Sequence, residues 1–243
     1  MILSAFRALQ DLFLPRCCLV CGRPLGVAED DLCIPCAADL PLTHIWQLRH
    51  NALADRLNAR IDTPGEHYVY AAALLIYKSG SPYNKIPQAL KYGYNRGAGR
   101  RFAELLGSRL AEAPHFADVD LVVPVPLHWT RKWRRGYNQA EVIARAVARV
   151  LGVPCAPHTL RRVRRTRTQT RLSVEAKALN VASAFRPSRR PAGLSESSCS
   201  VKHILLVDDV FTTGATLVAA FTALRRAYPL PVRISVATLS AVL

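Results

Sequence analysis

Apolar positions in this chain alternate between short continuous runs and stretches with helical spacing. Tyr68 to Tyr77, Asp120 to Pro126, His203 to Val207 and Val232 to Val242 are strand-like runs, the second stopped by Pro124 and Pro126. Continuous apolar runs of this length read as strands buried on both faces, as in a parallel sheet. Between them, Ile86 to Leu110 carries apolar residues at helical spacing with a break near Tyr92 to Gly99. Gln139 to Leu151 and Leu217 to Ala227 also read as helices. Strands alternating with helices predict an α/β fold with right-handed crossovers.

The first 65 residues read differently. Met1 to Leu14 has the spacing of a short amphipathic helix, with Arg7 and Asp11 on its polar side. Residues 15–42 hold two cysteine pairs, and 43–65 read as a polar connection ending at Pro64-Gly65. Two units follow: 1–65 as N-terminal helix, cysteine knuckle and linker, and 66–243 as the α/β domain, each expected to have its own core. Two segments lack periodicity, the Arg- and Thr-rich stretch 160–180 and the Pro- and Ser-containing loop Pro187 to Ser200. The chain has no internal repeat.

Half of the 243 residues are hydrophobic, so the chain is a globular protein with a sizeable core. Val69 to Tyr77 is the longest candidate for a membrane span and falls short of the ~18 apolar residues a span needs. Without a basic start or a small-residue cleavage site, the N-terminus is not a convincing signal peptide, and a cytoplasmic protein is expected. The net charge of +16 changes the picture more, because it is unevenly placed. Residues 1–65 hold 6 Lys and Arg against 7 Asp and Glu, whereas residues 128–171 hold 12 against 1, a net of +11. Such a block suits polyanions, either nucleic acid or a pyrophosphate.

Four of the seven cysteines have metal-ligand spacing, Cys18-x-x-Cys21 and Cys33-x-x-Cys36, with Gly22 and Pro35 helping the turns. Four thiolates converging in a tetrahedron suit a structural zinc ion, and a closed site of this kind leaves no position for substrate. Cys17 breaks the two-residue gap and is left spare, and Cys155 and Cys199 are isolated. The odd count argues against a disulfide framework.

The most informative segment runs from His203 to Leu217. Four apolar residues end at Asp208-Asp209, followed by the hydroxyl-rich loop Thr212-Thr213-Gly214-Ala215-Thr216 and a helical pattern. The carboxyl edge of a parallel sheet is where ligands bind, and a loop entering a helix N-terminus offers N–H groups to a phosphate. Carboxylates beside a phosphate would repel it, so Asp208 and Asp209 need another task, which the two hydroxyls of a ribose would supply. The segment therefore predicts a phosphoribose site.

This segment resembles the phosphoribosyl pyrophosphate (PRPP) motif of type I phosphoribosyltransferases. Further segments narrow the resemblance to the ComF family: Leu90-Lys91-Tyr92, Val123-Pro124-Val125-Pro126-Leu127-His128, Arg135-Gly136-Tyr137-Asn138-Gln139, Thr168-Gln169-Thr170 with Leu172-Ser173, and Asn180-Val181 with Ala184-Phe185. The resemblance implies a type I phosphoribosyltransferase fold, a parallel sheet flanked by helices, carrying a small four-cysteine zinc-binding module. It implies PRPP bound with Mg²⁺, Asp208 and Asp209 on the ribose, and Thr212 to Thr216 on the 5′-phosphate. The loop after the first core strand would handle pyrophosphate through Arg131, Lys132, Arg134 and Arg135. Trp129, Trp133 and Tyr137, interleaved with these cations, could stack bases. His128 is the one histidine placed near the site. Arg164, Arg165, Thr168, Gln169 and Thr170 fall where the fold carries a mobile loop, and Lys177 stands where the family would lead one to expect Arg. Three readings share this site: a transferase of unidentified acceptor, a single-stranded DNA-binding protein of DNA uptake working with other uptake proteins, and a non-catalytic PRPP-binding regulator. The family resemblance and the basic segment favour a protein of DNA uptake and natural transformation that binds PRPP and single-stranded DNA.

Overall fold

The computed structural model describes residues 15–92, 96–130, 133, 136–163, 184–188 and 201–243. The knuckle contains one short helix, α1 (Ile34–Ala38), and is followed by α2 (Ala52–Asn58), β1 (Ala71–Ile76), α3 (Lys85–Tyr92) and α4 (Arg96–Ala111). Then come β2 (Leu121–Pro124), α5 (Gln139–Leu151), β3 (Leu160–Arg162), β4 (Phe185–Pro187), β5 (His203–Phe211), α6 (Ala215–Ala227) and β6 (Arg233–Ala241). Four strands form one all-parallel sheet in the order β1-β6-β5-β2, as the continuous apolar runs predict.

Side chains alternate across this sheet and so feed two cores. Leu205 and Val207 of β5 join Val122, Leu74 and Leu239 against α3, α4 and α5. Ile204 and Leu206 join Val123, Ala73 and Val236 against α2 and α6. Gly107 brings α4 close to α5, since a Cβ there would lie 2.9 Å from the Val150 side chain. α3 ends at Tyr92 and α4 starts at Arg96, so residues 96–99 of the predicted break are helical, while 93–95 lie outside the described residues. The predicted helix at 1–14 lies outside the described residues. Among the described residues, no helix is long and apolar enough to cross a membrane.

Three expectations change. Residues 43–65 are not a polar connection: Trp46, Leu53, Ala54 and Leu57 are buried, and α2 is capped by Asn51. The Asn51 Oδ1 accepts from Ala54 N–H at 2.9 Å while its amide donates to the Ala71 carbonyl at 3.0 Å, so one side chain starts the helix and ties it to β1. The knuckle does not have a core of its own either. Cys18, Val20, Leu25, Leu32 and Cys33 belong to the α4–α5 core. Arg101 of α4 forks onto Asp31, and Lys85 donates to the Val20 carbonyl at 2.8 Å. Finally, Leu160–Arg162 and Phe185–Pro187 pair as a short antiparallel ribbon, which lacks a periodic signal because each strand is three residues long.

Just past the linker, the chain is fastened to α6 by a buried ion pair. Both Nε and Nη2 of Arg225 reach the Glu66 carboxylate at 2.7 Å, and Nη1 donates to the Tyr228 and Val232 carbonyls. Four of the five guanidinium N–H groups and both carboxylate oxygens are matched, so the pair is held by geometry that tolerates no missing partner. Glu66→Ala would leave the guanidinium buried and uncompensated, at a cost of about 3–5 kcal/mol. Urea denaturation of the variant should show that loss with the slope unchanged.

Candidate functional site

The carboxyl edge of β5 builds the candidate phosphate site. The strand continues through Asp208 and Asp209 to Phe211, turns over Thr212 and Thr213, and enters α6 at Gly214. Gly214 has φ +80°, and a Cβ there would lie 2.8 Å from the Phe211 ring, so both backbone and space demand glycine. Around this turn Asp208, Val210 and the segment Phe211 to Leu217 line a small cup of about 30 Å³. Thr212 and Thr213 are exposed, and Ala215 and Thr216 are half-buried at the start of the helix. N–H groups at a helix start carry the positive end of its dipole, which suits an anion.

The two carboxylates face different ways. Asp208 lines the cup, whereas Asp209 does not, which follows from the strand's alternation: Asp208 shares the face of Ile204 and Leu206, and Asp209 that of Leu205 and Val207. Asp208 Oδ1 accepts from Asp209 N–H at 2.9 Å, and Asp209 Oδ1 accepts from Val210 N–H at 2.8 Å. These bonds orient both groups at the mouth of the sheet, one toward α6 and one toward the side of α5.

The linker supplies residues that sequence reasoning missed. Arg56 of α2 donates to the Thr212 carbonyl at 2.8 Å, bonds the Val242 carbonyl, and lies 5.1 Å over the Phe211 ring. One guanidinium thus holds the cup loop against the last strand. Arg60, a turn further on, has Nη1 3.7 Å from where a Gly214 Cβ would stand, which puts a cation at the rim of the cup. The sequence gives only one signal for them, two arginines four residues apart, and nothing in it says which loop they reach.

On the other side of the edge, β2 leads through Val125, whose N–H donates to the Val207 carbonyl, into the segment before α5. Asn138 is buried at the start of α5 and donates to the Val125 carbonyl at 3.0 Å. Tyr137 bonds the Leu90 carbonyl, which ties this segment to α3. His128 is buried with Nδ1 2.8 Å from Thr130 Oγ1. Trp129 and Trp133 are 72% and 86% exposed, so neither anchors the core. Arg131, Lys132, Arg134 and Arg135 lie outside the described residues, as do Arg164, Arg165, Thr168, Gln169, Thr170, Lys177 and Cys199.

The four predicted cysteines come together. The sulfurs of Cys18, Cys21, Cys33 and Cys36 all lie within 4.8 Å of one another, with Cys21 and Cys33 at 3.7 Å. A tetrahedron of thiolates around a metal bonded at about 2.3 Å sets sulfurs about 3.8 Å apart, whereas a disulfide needs about 2.05 Å. Backbone turns make this possible: Gly22 N–H donates to the Cys18 carbonyl at 2.9 Å, and Ala37 N–H to the Cys33 carbonyl at 2.9 Å. Burial alone would raise the Cys18 thiol, but the N–H groups of Cys21, Cys33 and Val20 outweigh it and bring it down to about 6. Cys36 is pushed up to about 12, first by its bond with Cys33 and then by burial. Four sulfurs at this spacing cannot all ionise unless a cation joins them, so the cluster could hold a metal ion. Cys17 stands exposed outside it, and the half-buried Cys155 is pushed up to about 11 by burial.

Comparison with known proteins agrees with this architecture. Residues 138–241, which span α5 to β6, match the family model of the phosphoribosyl transferase domain. The chain is similar to competence protein F of Haemophilus influenzae, with 28% identity over 214 residues, covering 82% of this chain and 86% of that protein. It is also similar to the DNA utilization protein YhgH of Escherichia coli K12, with 26% identity over 221 residues, covering 85% and 89%. YhgH of Salmonella typhi is 40% identical over 98 residues, 40% of each chain.

Because the knuckle shares the α4–α5 core, metal removal should reach the whole chain. The purified protein should carry about one tightly held metal ion, and stripping it, or Cys18→Ser, should lower a single melting transition. A loss of about 3 kcal/mol corresponds to a drop on the order of 10 °C in a chain of this size. Calorimetry showing an unmoved main transition would make the knuckle an independent unit.

Proposed function

Since the chain belongs to the ComF family of phosphoribosyltransferase-like proteins, we propose that it binds PRPP with Mg²⁺ at the carboxyl edge of its sheet and single-stranded DNA along its basic flank. In this reading it serves DNA uptake in the cytoplasm, alongside other uptake proteins. The observation that carries the proposal is the cup, where a helix start, threonine hydroxyls and one strand-end carboxylate meet around Gly214.

The 5′-phosphate takes the backbone N–H groups and hydroxyls of Thr212 to Thr216. Asp208 holds one ribose hydroxyl from the cup side, and Asp209 reaches the sugar from the opposite face of the strand. Asp208 and Asp209 are the carboxylates that would face Mg²⁺ bound with PRPP, and the ion would supply neutralisation of the leaving charge. Displacement at ribose C1 breaks the bond to pyrophosphate and forms one to an acceptor, through an oxocarbenium-like transition state. The chain's part is to position the sugar and stabilise the leaving charge, for which Arg131, Arg134 and Arg135 and, from the later segment, Arg164 and Arg165 are candidates. Arg56 fixes the loop's carbonyl side, so its N–H groups stay turned toward the phosphate. Zinc would be held by Cys18, Cys21, Cys33 and Cys36 as a structural ion, since four thiolates leave no open position for substrate. The same site serves a transferase and a non-catalytic regulator alike. Pyrophosphate release from PRPP, assayed across nucleobases, nucleosides and oligonucleotides, separates the two.

Asp208→Asn with Asp209→Asn should abolish Mg²⁺-dependent PRPP binding and leave the fold intact, since each lost charged hydrogen bond is worth about 1.5–3 kcal/mol. Titration calorimetry giving the double variant wild-type affinity would sink the ribose role.

Single-stranded DNA should bind with weak sequence preference and strong salt dependence, on the net charge of +11 in residues 128–171 and the exposed Trp129 and Trp133. Neutralising about four phosphates gives log affinity against log salt a slope of roughly −3. Replacing Arg134 and Arg135 with Ala should flatten it by about 1.4, whereas Trp133→Ala should weaken binding by about 1–3 kcal/mol and leave the slope alone. Fluorescence anisotropy across a salt series decides between this and a merely solvated surface.

A further inference from the structure

The sheet has a second edge, and it is also concave. At its amino end a cleft of about 800 Å³ opens between the starts of β1, β5 and β6. Arg49, Tyr68, Tyr70, Asp118, Lys202 and Arg233 are the lining residues that matter. Because β5 runs nine residues at about 3.3 Å each, this cleft lies roughly 26 Å from the phosphate cup along the strand. It is therefore not an acceptor subsite of the carboxyl edge.

Its walls are stiffened aromatic rings. Tyr68 and Tyr70 flank Val69 in extended chain, with ring centres 5.7 Å apart and edge-on. Each has a histidine against it: His50 at 4.5 Å from Tyr68, and His115 stacked at 4.7 Å on Tyr70. The Tyr68 hydroxyl is further held, donating to Asp55 at 2.7 Å. The base of the cleft is also set. Asp118 pairs with Arg233 and with Nδ1 of the fully buried His203 at 2.8 Å, and His203 Nε2 meets Ser235 Oγ at 2.7 Å. Arg49 and Lys202 are different: both are exposed, and neither has an ion-pair partner among the described residues.

We propose that this cleft is a nucleotide site, in which a base lies against Tyr68 and Tyr70 and its phosphate meets Arg49 and Lys202. Pre-set aromatic faces select a planar ring, two uncommitted cations select an anion, and a nucleotide carries both within one small reach. The volume falls in the range of about 300–1,000 Å³ usual for small-ligand sites. The same unit occurs free or within a single strand, and the cleft accepts either. This inference stands on the cleft alone and does not need the PRPP site or the basic segment to be read correctly.

The test is fluorescence anisotropy of a labelled oligothymidylate and titration calorimetry of dTMP, both on the full chain. Arg49→Ala with Lys202→Ala should weaken dTMP and flatten the oligonucleotide salt slope by about 1.4, at 0.7 per phosphate. Tyr68→Leu should weaken both probes on the order of tenfold, while Tyr68→Phe, which keeps the ring, should hold wild-type affinity. PRPP binding should not move in any of them. Binding of dTMP without the oligonucleotide keeps the cleft and removes DNA from the proposed function. Oligonucleotide binding that is insensitive to the Arg49/Lys202 and Tyr68 variants, with no dTMP bound, overturns the cleft and leaves the basic flank. Wild-type protein that binds neither probe overturns it as well.

Discussion

β5 pairs with β6 on one side and β2 on the other, and from His203 to Val207 its side chains are buried on both faces. A strand in that position has no lateral surface left for chemistry. Whatever polar work it does must fall at its two ends, where the backbone leaves the sheet. At the carboxyl end the chain spends the last strand residues on two carboxylates and a glycine turn. At the amino end it spends His203 on a hydrogen-bonded pair with Asp118 and Ser235. Burial pushes that histidine down to about 4, so it stays neutral and the sheet floor carries no buried positive charge at physiological pH.

The cup also shows how a site can be built by chain far away in sequence. The cup loop depends on Arg56, 156 residues before Thr212, and on Gly214 yielding space to Phe211. That bond crosses from the linker to the last βα unit, just as Glu66 crosses to Arg225. The knuckle does the same on the other face through Asp31 and Arg101. Residues 15–65 are thus built into both cores, and Cys18 and Cys33 of the cysteine cluster belong to the α4–α5 core that packs on β5.

The parallel sheet was legible because its strands are continuous apolar runs, and the cup because acids, hydroxyls and one glycine follow such a run directly. The cysteine cluster was legible from its spacing. The linker was not: α2 has seven residues, and the three it buries are too few to set a period against Asp55 and Arg56. The shared core was hidden for the same reason, since Val20, Leu25 and Leu32 sit in short apolar stretches broken by turn-formers and acids. Pairing of Leu160–Arg162 with Phe185–Pro187 is a long-range event that no local pattern records. The divergence of Asp208 and Asp209 could have been read from strand alternation, had the strand been carried past Val207.

Arginine use separates structural from available charge. The chain has 33 Lys and Arg against 17 Asp and Glu, which invites the view that any basic surface will meet a polyanion. Many of these cations are already committed. Arg225 is spent on Glu66 and two carbonyls, Arg101 on Asp31, Arg56 on two carbonyls, and Arg233 on Asp118. A guanidinium with its donors filled contributes little to ligand binding, because a new anion must displace bonds of equal quality. Capacity for phosphate therefore rests with the uncommitted groups rather than with net charge. Arg60 at the cup and Arg49 with Lys202 at the opposite edge are such groups among the described residues, and each stands beside a concave surface. Charge excess makes this protein attractive to polyanions in general, and uncommitted cations beside a concave surface are where the two proposals above place one.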